Sequence, residues 1–129
     1  MTPCMLDTCT LIWLCSSPDR LSATAREIID AFDTRLLLSE ASVLEITLKW
    51  TAGKLALPDP PRRWIESQIA AWSLDCRALG REDMYRAGEL PHHHRDPFDR
   101  LLVAAAIRAN AIILTPDDAV QRYPVSCRW

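Results

Sequence analysis

Four acids in this sequence stand where carboxylates could act together on one ion or one phosphate. Asp7 directly follows the apolar run Cys4-Met5-Leu6. Glu45 lies on the line Ser42, Glu45, Lys49, Ala52, apart from the apolar positions Val43, Ile46 and Trp50. Asp99 falls in the first turn after Asp96-Pro97, a pair that reads as a helix start with Asp96 as the cap. Asp117 follows Thr115 and Pro116, just past the apolar run Ala111-Ile112-Ile113-Leu114. Hard divalent cations such as Mg2+ and Mn2+ need oxygen ligands, usually one or two carboxylates completed by water and substrate phosphate. A cluster of three or four acids cannot stay fully ionised and unpaired without a cation nearby. A pair of such ions can activate water and stabilise the attacking and leaving oxygens of a phosphodiester. Taken singly, each acid also has a local reading. Asp7 and Asp117 read as turn or cap residues, Asp99 as a first-turn acid favoured by the helix dipole, and Glu45 with Lys49 as an i,i+4 surface pair.

The remaining reactive side chains narrow the chemistry. His92-His93-His94 invites a zinc reading, but consecutive rings do not converge easily on one ion, so the run reads as a solvated loop beside the site. The five cysteines, Cys4, Cys9, Cys15, Cys76 and Cys127, are odd in number and form no C-x-x-C, which points to reduced thiols and not to a disulfide framework. Only three glycines occur, and neither G-x-G-x-x-G nor G-x-x-x-x-G-K-[ST] is present, which excludes those phosphate cradles. The 17 acidic and 15 basic side chains give a net charge of -2. That balance argues against a polybasic strand binder, whose affinity comes from many phosphate contacts. It does not argue against a nucleic-acid enzyme that takes its positive charge from metal ions. Arg95 and Arg100 flank the acids and are candidates to touch substrate phosphate, with helix-surface salt bridges as the alternative.

The elements that must hold these residues are short apolar runs alternating with helical patterns. Strands are expected at Cys4–Leu6, Leu36–Leu38 and Ala111–Leu114, with an edge strand within Leu74–Leu79 and a short last strand at Val125–Arg128. Helices are expected at about Thr8–Cys15; Ala23–Asp33, capped by Ser22 with Ile28, Ile29 and Phe32 inward; and Ser39–Ala52, closed by Gly53. Others follow at Pro60–Trp72, burying Trp64, Ile65, Ile69 and Trp72; Glu82–Glu89; and Asp96–Ala109, stopped by Asn110, with a helical turn over Asp117–Tyr123. Strands alternating with helices imply an α/β class fold, a sandwich around a short, mostly parallel sheet. In such sheets ligands sit beyond the carboxyl ends of the strands, where Asp7 and Asp117 would meet. With 129 residues, 49% apolar and 25% charged, the chain reads as a single domain, 1–129. It shows neither a signal peptide nor a membrane span, so a cytoplasmic location is expected.

Met5-Leu6-Asp7-Thr8, Ser42-Val43-Leu44-Glu45-Ile46, Gly53-Lys54-Leu55-Ala56-Leu57-Pro58, the segment Leu90 to Leu102 containing His94-Arg95-Asp96-Pro97-Phe98-Asp99-Arg100, and Leu114-Thr115-Pro116-Asp117 occur in that order. Together they resemble the PIN-domain ribonucleases, specifically the toxins of VapC-type toxin–antitoxin pairs, over nearly the whole chain. The resemblance implies a three-layer α/β/α sandwich and a metal-dependent endoribonuclease. It implies that Asp7, Glu45, Asp99 and Asp117 hold one or two Mg2+ or Mn2+ ions, with Asp118 a competitor for the last place. Thr8 and Thr115 would hydrogen-bond the carboxylates, and Asp96 would support them as the helix cap. It further implies an RNA substrate, a cognate antitoxin that offers a basic side chain to the acids, and a homodimer. Many relatives carry His two residues after the first Asp; here that residue is Cys9.

Rival readings stay open on sequence. A phospho-acceptor signalling domain would want an acceptor Asp ending a central strand and a Lys ending a later one, whereas Lys49 and Lys54 both sit near the third helix. A non-catalytic binding module on the same fold, or a PIN nuclease acting in RNA processing or DNA metabolism, would share much of the pattern.

Overall fold

The computed structural model describes residues 2–129. Among them five strands alternate with six helices: β1 (Thr2–Leu6), α1 (Thr8–Ser16), α2 (Ala23–Asp30), β2 (Thr34–Ser39), α3 (Glu40–Thr51), α4 (Pro61–Trp72), β3 (Asp75–Arg77), α5 (Arg81–Glu89), α6 (Pro97–Ala109), β4 (Ile112–Leu114) and β5 (Cys127–Arg128). The sheet order is β3-β2-β1-β4-β5, and every neighbouring pair is parallel.

Successive strand residues point to opposite faces, and here both faces are covered. Cys4, Leu6, Leu36, Leu38 and Leu114 pack with Leu11, Ala25, Ile46 and Trp64, drawn from α1 to α4. Met5, Leu37 and Ile113 pack with Leu102, Val103 and Ala106 of α6 and with Val120 and Tyr123. Burial on both faces explains why the central strands read as unbroken apolar runs. The result is a three-layer α/β/α sandwich around a parallel sheet: the alternation of strands and helices implies the α/β class, and the resemblance the three layers.

Local signals set most element ends. Ser22 accepts from the Ala25 N–H at 3.0 Å, Ser39 from Ala41 at 3.1 Å, and Asp96 from Phe98 at 2.9 Å. Asn110 and Gly53 close α6 and α3 with φ of 51° and 72°. Elsewhere tertiary demands override the pattern. α2 ends at Asp30, three residues short of the expected Asp33, because Ala31 turns extended (φ -69°, ψ 130°) to start the reversal into β2. That turn swings Phe32 into solvent, 99% exposed, where the helical spacing placed it inward. On α4, Trp64 and Ile65 are buried, whereas Ile69 and Trp72 are only half-buried. The turn after Asp117 is a short 3-10 segment, Val120–Arg122. Among the described residues no helix is long and apolar enough to cross a membrane.

The strand order reverses at β1, whose two neighbours are β2 and β4. At such a reversal the connections leave toward different sides and open a crevice at the carboxyl ends of the strands. That crevice holds the acids.

Candidate active site

Leu6 of β1 is registered with Leu114 of β4, and the Asp7 N–H extends the ladder to the Leu114 carbonyl at 3.2 Å. The residues that follow the two strands are therefore adjacent. Thr115 Oγ1 donates to Asp7 Oδ2 at 2.5 Å and accepts the Asp117 N–H at 3.1 Å, so one hydroxyl ties the two acids together. Asp7 also caps α1, its Oδ1 accepting the Thr8 N–H at 2.7 Å. Asp117 caps the turn after β4, its Oδ1 accepting from Ala119 at 2.8 Å and Val120 at 3.3 Å. The cap reading of both acids is thus correct and does not compete with a chemical one. In each, one oxygen fixes the side chain and the other turns to a side-chain partner, Thr115 for Asp7 and His94 for Asp117.

α3 brings Glu45 to the same place, 4% exposed. Lys49 Nζ donates to Glu45 Oε2 at 2.5 Å. With Glu45 buried, this is not the solvated surface pair that i,i+4 spacing alone suggests. The hydrogen bond to Glu45 raises the Lys49 ammonium, and Asp96 and Asp99 add to the effect, so this side chain stays charged. Thr8 differs from expectation. Its hydroxyl donates to Ser42 Oγ at 2.9 Å, joining α1 to α3, and only its backbone N–H serves a carboxylate.

Asp99 enters from the first turn of α6, below the Asp96 cap. Asp7, Glu45, Asp99 and Asp117 all line one cleft of about 360 Å³, with Lys49 beside them and Cys9 and Ile12 forming apolar wall. Asp96 reaches the same cleft, while Asp118 is exposed and lies outside its lining. Burial first, then the Asp7 charge and the Asp96 charge, push the Asp99 carboxyl up to about 7. Burial likewise raises Asp7, with Glu45 and Asp117 adding to it, despite the hydrogen bonds from Thr115 and Thr8. The Cys9 thiol is pushed up to about 12 by burial and then by Asp7, so it stays protonated and is no nucleophile.

The donor chemistry fits a hard divalent cation. Carboxylates from four separate chain segments line one cleft, and two of the acids are driven toward protonation by burial and by neighbouring charge. A bound divalent charge removes that conflict. Among the described residues, donor atoms of His94, Asp99 and Asp117 lie within 4.8 Å of one another.

Two further expectations require correction. The His run is not uniformly solvated. His92 and His93 are exposed, but the His94 ring turns into the site, with Nε2 at 3.0 Å from Asp99 Oδ2 and 3.1 Å from Asp117 Oδ2. Arg100 does not line the cleft and makes no surface salt bridge. It is 8% exposed, and its guanidinium donates to the carbonyls of Leu90 (2.9 Å), Pro91 (3.1 Å), His94 (3.3 Å) and Gly88 (3.4 Å). It pins the histidine loop onto α6. Its place on the inward line Arg100, Val103, Ala104 was a signal available in the sequence. Arg95 is exposed.

A family model described as PIN domain matches residues 4–125. No match occurs among curated proteins. Among solved structures, the fold is similar to a chain of DNA-bound VapBC from Salmonella typhimurium (18% identity, TM-score 0.72, covering 99% of this chain and 98% of that one). It is also similar to a chain of VapBC2 from Rickettsia felis bound to a promoter DNA fragment (15%, 0.70, 98% and 98%) and of VapBC-1 from nontypeable Haemophilus influenzae (14%, 0.63, 98% and 97%).

Proposed function

The chain belongs to the PIN domain family, and from that premise we propose that it is a metal-dependent endoribonuclease, a single nuclease domain over 1–129 acting as the toxin of a toxin–antitoxin pair in the cytoplasm. One observation carries the reading: Asp7, Glu45, Asp99 and Asp117, from four separate chain segments, share one cleft at the reversal of the sheet order. These residues would hold one or two Mg2+ or Mn2+ ions. When bound, the cation activates water and neutralises the scissile phosphate. The protein's own part is geometry. Thr115 holds Asp7 and Asp117 at a fixed separation, the Asp96 cap sets the first turn of α6 that carries Asp99, and α3 presents Glu45. Lys49 offsets part of the acid charge and adds a cation beside the place where phosphate would lie. Exposed Arg95 is a candidate contact to RNA backbone; buried Arg100 serves only the scaffold.

The toxin role rests on the fold's likeness to chains of VapBC complexes. In that role a cognate antitoxin would bring a basic group to the acid cluster, offsetting the same charge that a cation offsets, and the toxin would pair with a second copy. The phospho-acceptor alternative fares poorly, because Thr115, not Lys, follows β4, and Lys49 lies on α3.

The test is cleavage of a panel of structured RNAs, with matched DNAs, in Mn2+ or Mg2+ and in EDTA, for the wild type and Asp7→Asn. RNA cleavage that needs the ion and falls by at least about 100-fold in the variant is expected, the scale seen when one group stabilising the transition state is removed. Cleavage in EDTA, or full activity in Asp7→Asn, would sink the mechanism. Failure to cut any RNA would favour the non-catalytic binding module, and a preference for DNA the processing or DNA-metabolism reading.

A further inference from the structure

His94 is one of three residues whose donor atoms are close enough to share an ion, and the separations invite that assignment. Its Nε2 lies 3.0 Å from Asp99 Oδ2 and 3.1 Å from Asp117 Oδ2. Neighbouring ligands on an octahedral ion at about 2.1 Å are separated by about that much. The other side of the ring decides otherwise. A histidine that binds metal through one nitrogen carries its proton on the other and gives it to a carboxylate, a carbonyl or water. Here the other nitrogen, Nδ1, faces a donor: the Asp96 backbone N–H reaches it at 3.0 Å. A backbone amide cannot accept, so Nδ1 must present its lone pair, and the ring proton belongs on Nε2. That proton points at the two carboxylates. For Nε2 to ligate a metal with this amide bond intact, the ring would have to lose both protons.

The ring has little freedom to escape the constraint. The His94 N–H donates to Tyr123 Oη at 2.9 Å, and the His94 carbonyl accepts from Arg100 at 3.3 Å. The Asp96 amide is itself fixed at the start of α6, where the Asp96 side chain caps Phe98 at 2.9 Å. Both ends of the short His94–Asp96 segment are therefore anchored to α6 and to the turn after β4.

We propose that His94 is a positioning residue and not a metal ligand: the Asp96 amide locks its imidazole in the Nε2–H form, which bridges Asp99 and Asp117 and leaves the cation a donor set of oxygens alone. Removing the imidazole from the donor set favours Mg2+ or Mn2+ over borderline ions such as Zn2+, which prefer nitrogen and sulfur. The inference rests on the reading of Asp99 and Asp117 as metal-holding acids.

Two measurements on the full chain test it and separate its failure from that of the parent reading. Long-range proton–nitrogen NMR of the metal-free 15N-labelled protein reads the His94 ring directly, with His94→Gln identifying its signals. A protonated Nε2 and a bare Nδ1 are expected; a protonated Nδ1, alone or with Nε2, overturns the assignment. Pulsed EPR of the Mn2+-loaded protein then reads the donor set. No directly coordinated imidazole nitrogen is expected in the wild type or in His94→Gln. A coordinated nitrogen that disappears in His94→Gln overturns the proposal while leaving the metal site standing. Absence of saturable Mn2+ binding overturns the metal-holding reading and this inference with it. Because the ring still orients two acids, His94→Ala is expected to weaken Mn2+ binding by about 10- to 100-fold. His94→Gln, whose amide can donate in place of Nε2–H, is expected to recover part of that loss.

Discussion

Asp99 shows most clearly what the site costs the folded chain. Its carboxyl sits at about 7 because burial and the charges of Asp7 and Asp96 oppose ionisation, whereas in the unfolded chain it titrates at about 3.9. Its contribution to stability is fully present below about pH 4. As the pH rises toward about 7, the unfolded chain releases a proton that the folded chain retains, so unfolding is favoured and the contribution is lost. Asp7, also raised, acts in the same sense. The metal-free protein should therefore melt at progressively lower temperature from about pH 4 to pH 7, and Asp99→Asn should flatten that fall, about 4 °C for each kcal/mol relieved in a chain of this size. A scan of melting temperature against pH in EDTA, showing no difference between variant and wild type, would remove the basis for this electrostatic picture. The two arginines divide just as cleanly. Arg100→Ala leaves the buried Leu90 carbonyl and three partly buried ones without this donor and should cost about 2–4 kcal/mol in urea unfolding. Arg95→Ala should change stability by less than about 0.5 kcal/mol and instead lower the salt dependence of RNA binding by about one ion. As basic residues flanking the acids the two look equivalent in the sequence; the inward helical line Arg100, Val103, Ala104 separates them.

The helices carry the signals that were most legible from sequence. Ser22, Ser39, Asp96 and Asn110 work through atoms two to four residues away, so local chemistry is enough to find them. Phe32 was misplaced because helical periodicity cannot say where a chain must turn to enter the next strand. His94 reads as part of a solvated run for a related reason: Asp117, 23 residues on, meets its ring only once the strands place the turn after β4 beside the start of α6. The glycines of α3 and α5 give a signed test of the element-level account. Gly53 has φ 72° and open space around its Cβ position, so Gly53→Ala should cost about 1 kcal/mol through backbone strain alone. Gly88, on α5, also faces open space but has no positive φ. Gly88→Ala should stabilise by about 0.5–1 kcal/mol. Paired denaturant titrations check the opposite signs; equal signs would mean the two helix ends have been misread.

At the scale of the whole molecule, the parallel order β3-β2-β1-β4-β5 puts the carboxyl ends of β1 and β4 side by side and thereby fixes where chemistry can occur. The alternation of strands and helices made the sandwich legible. The strand order was not, since nothing local in the sequence states which strands are neighbours. The net charge of -2 is likewise uninformative as a total, because several of the acids it counts are gathered in one cleft, where bound cations would cancel them locally. That gathering is the central claim, and calorimetric titration of Mn2+ tests it most directly, comparing the wild type with Asp7→Asn, Glu45→Gln, Asp99→Asn and Asp117→Asn. The account predicts saturable binding by the wild type, weakened at least about 10-fold by each substitution, with every variant still folded. Wild-type affinity retained by all four variants, or no saturable binding by the wild type, would contradict it.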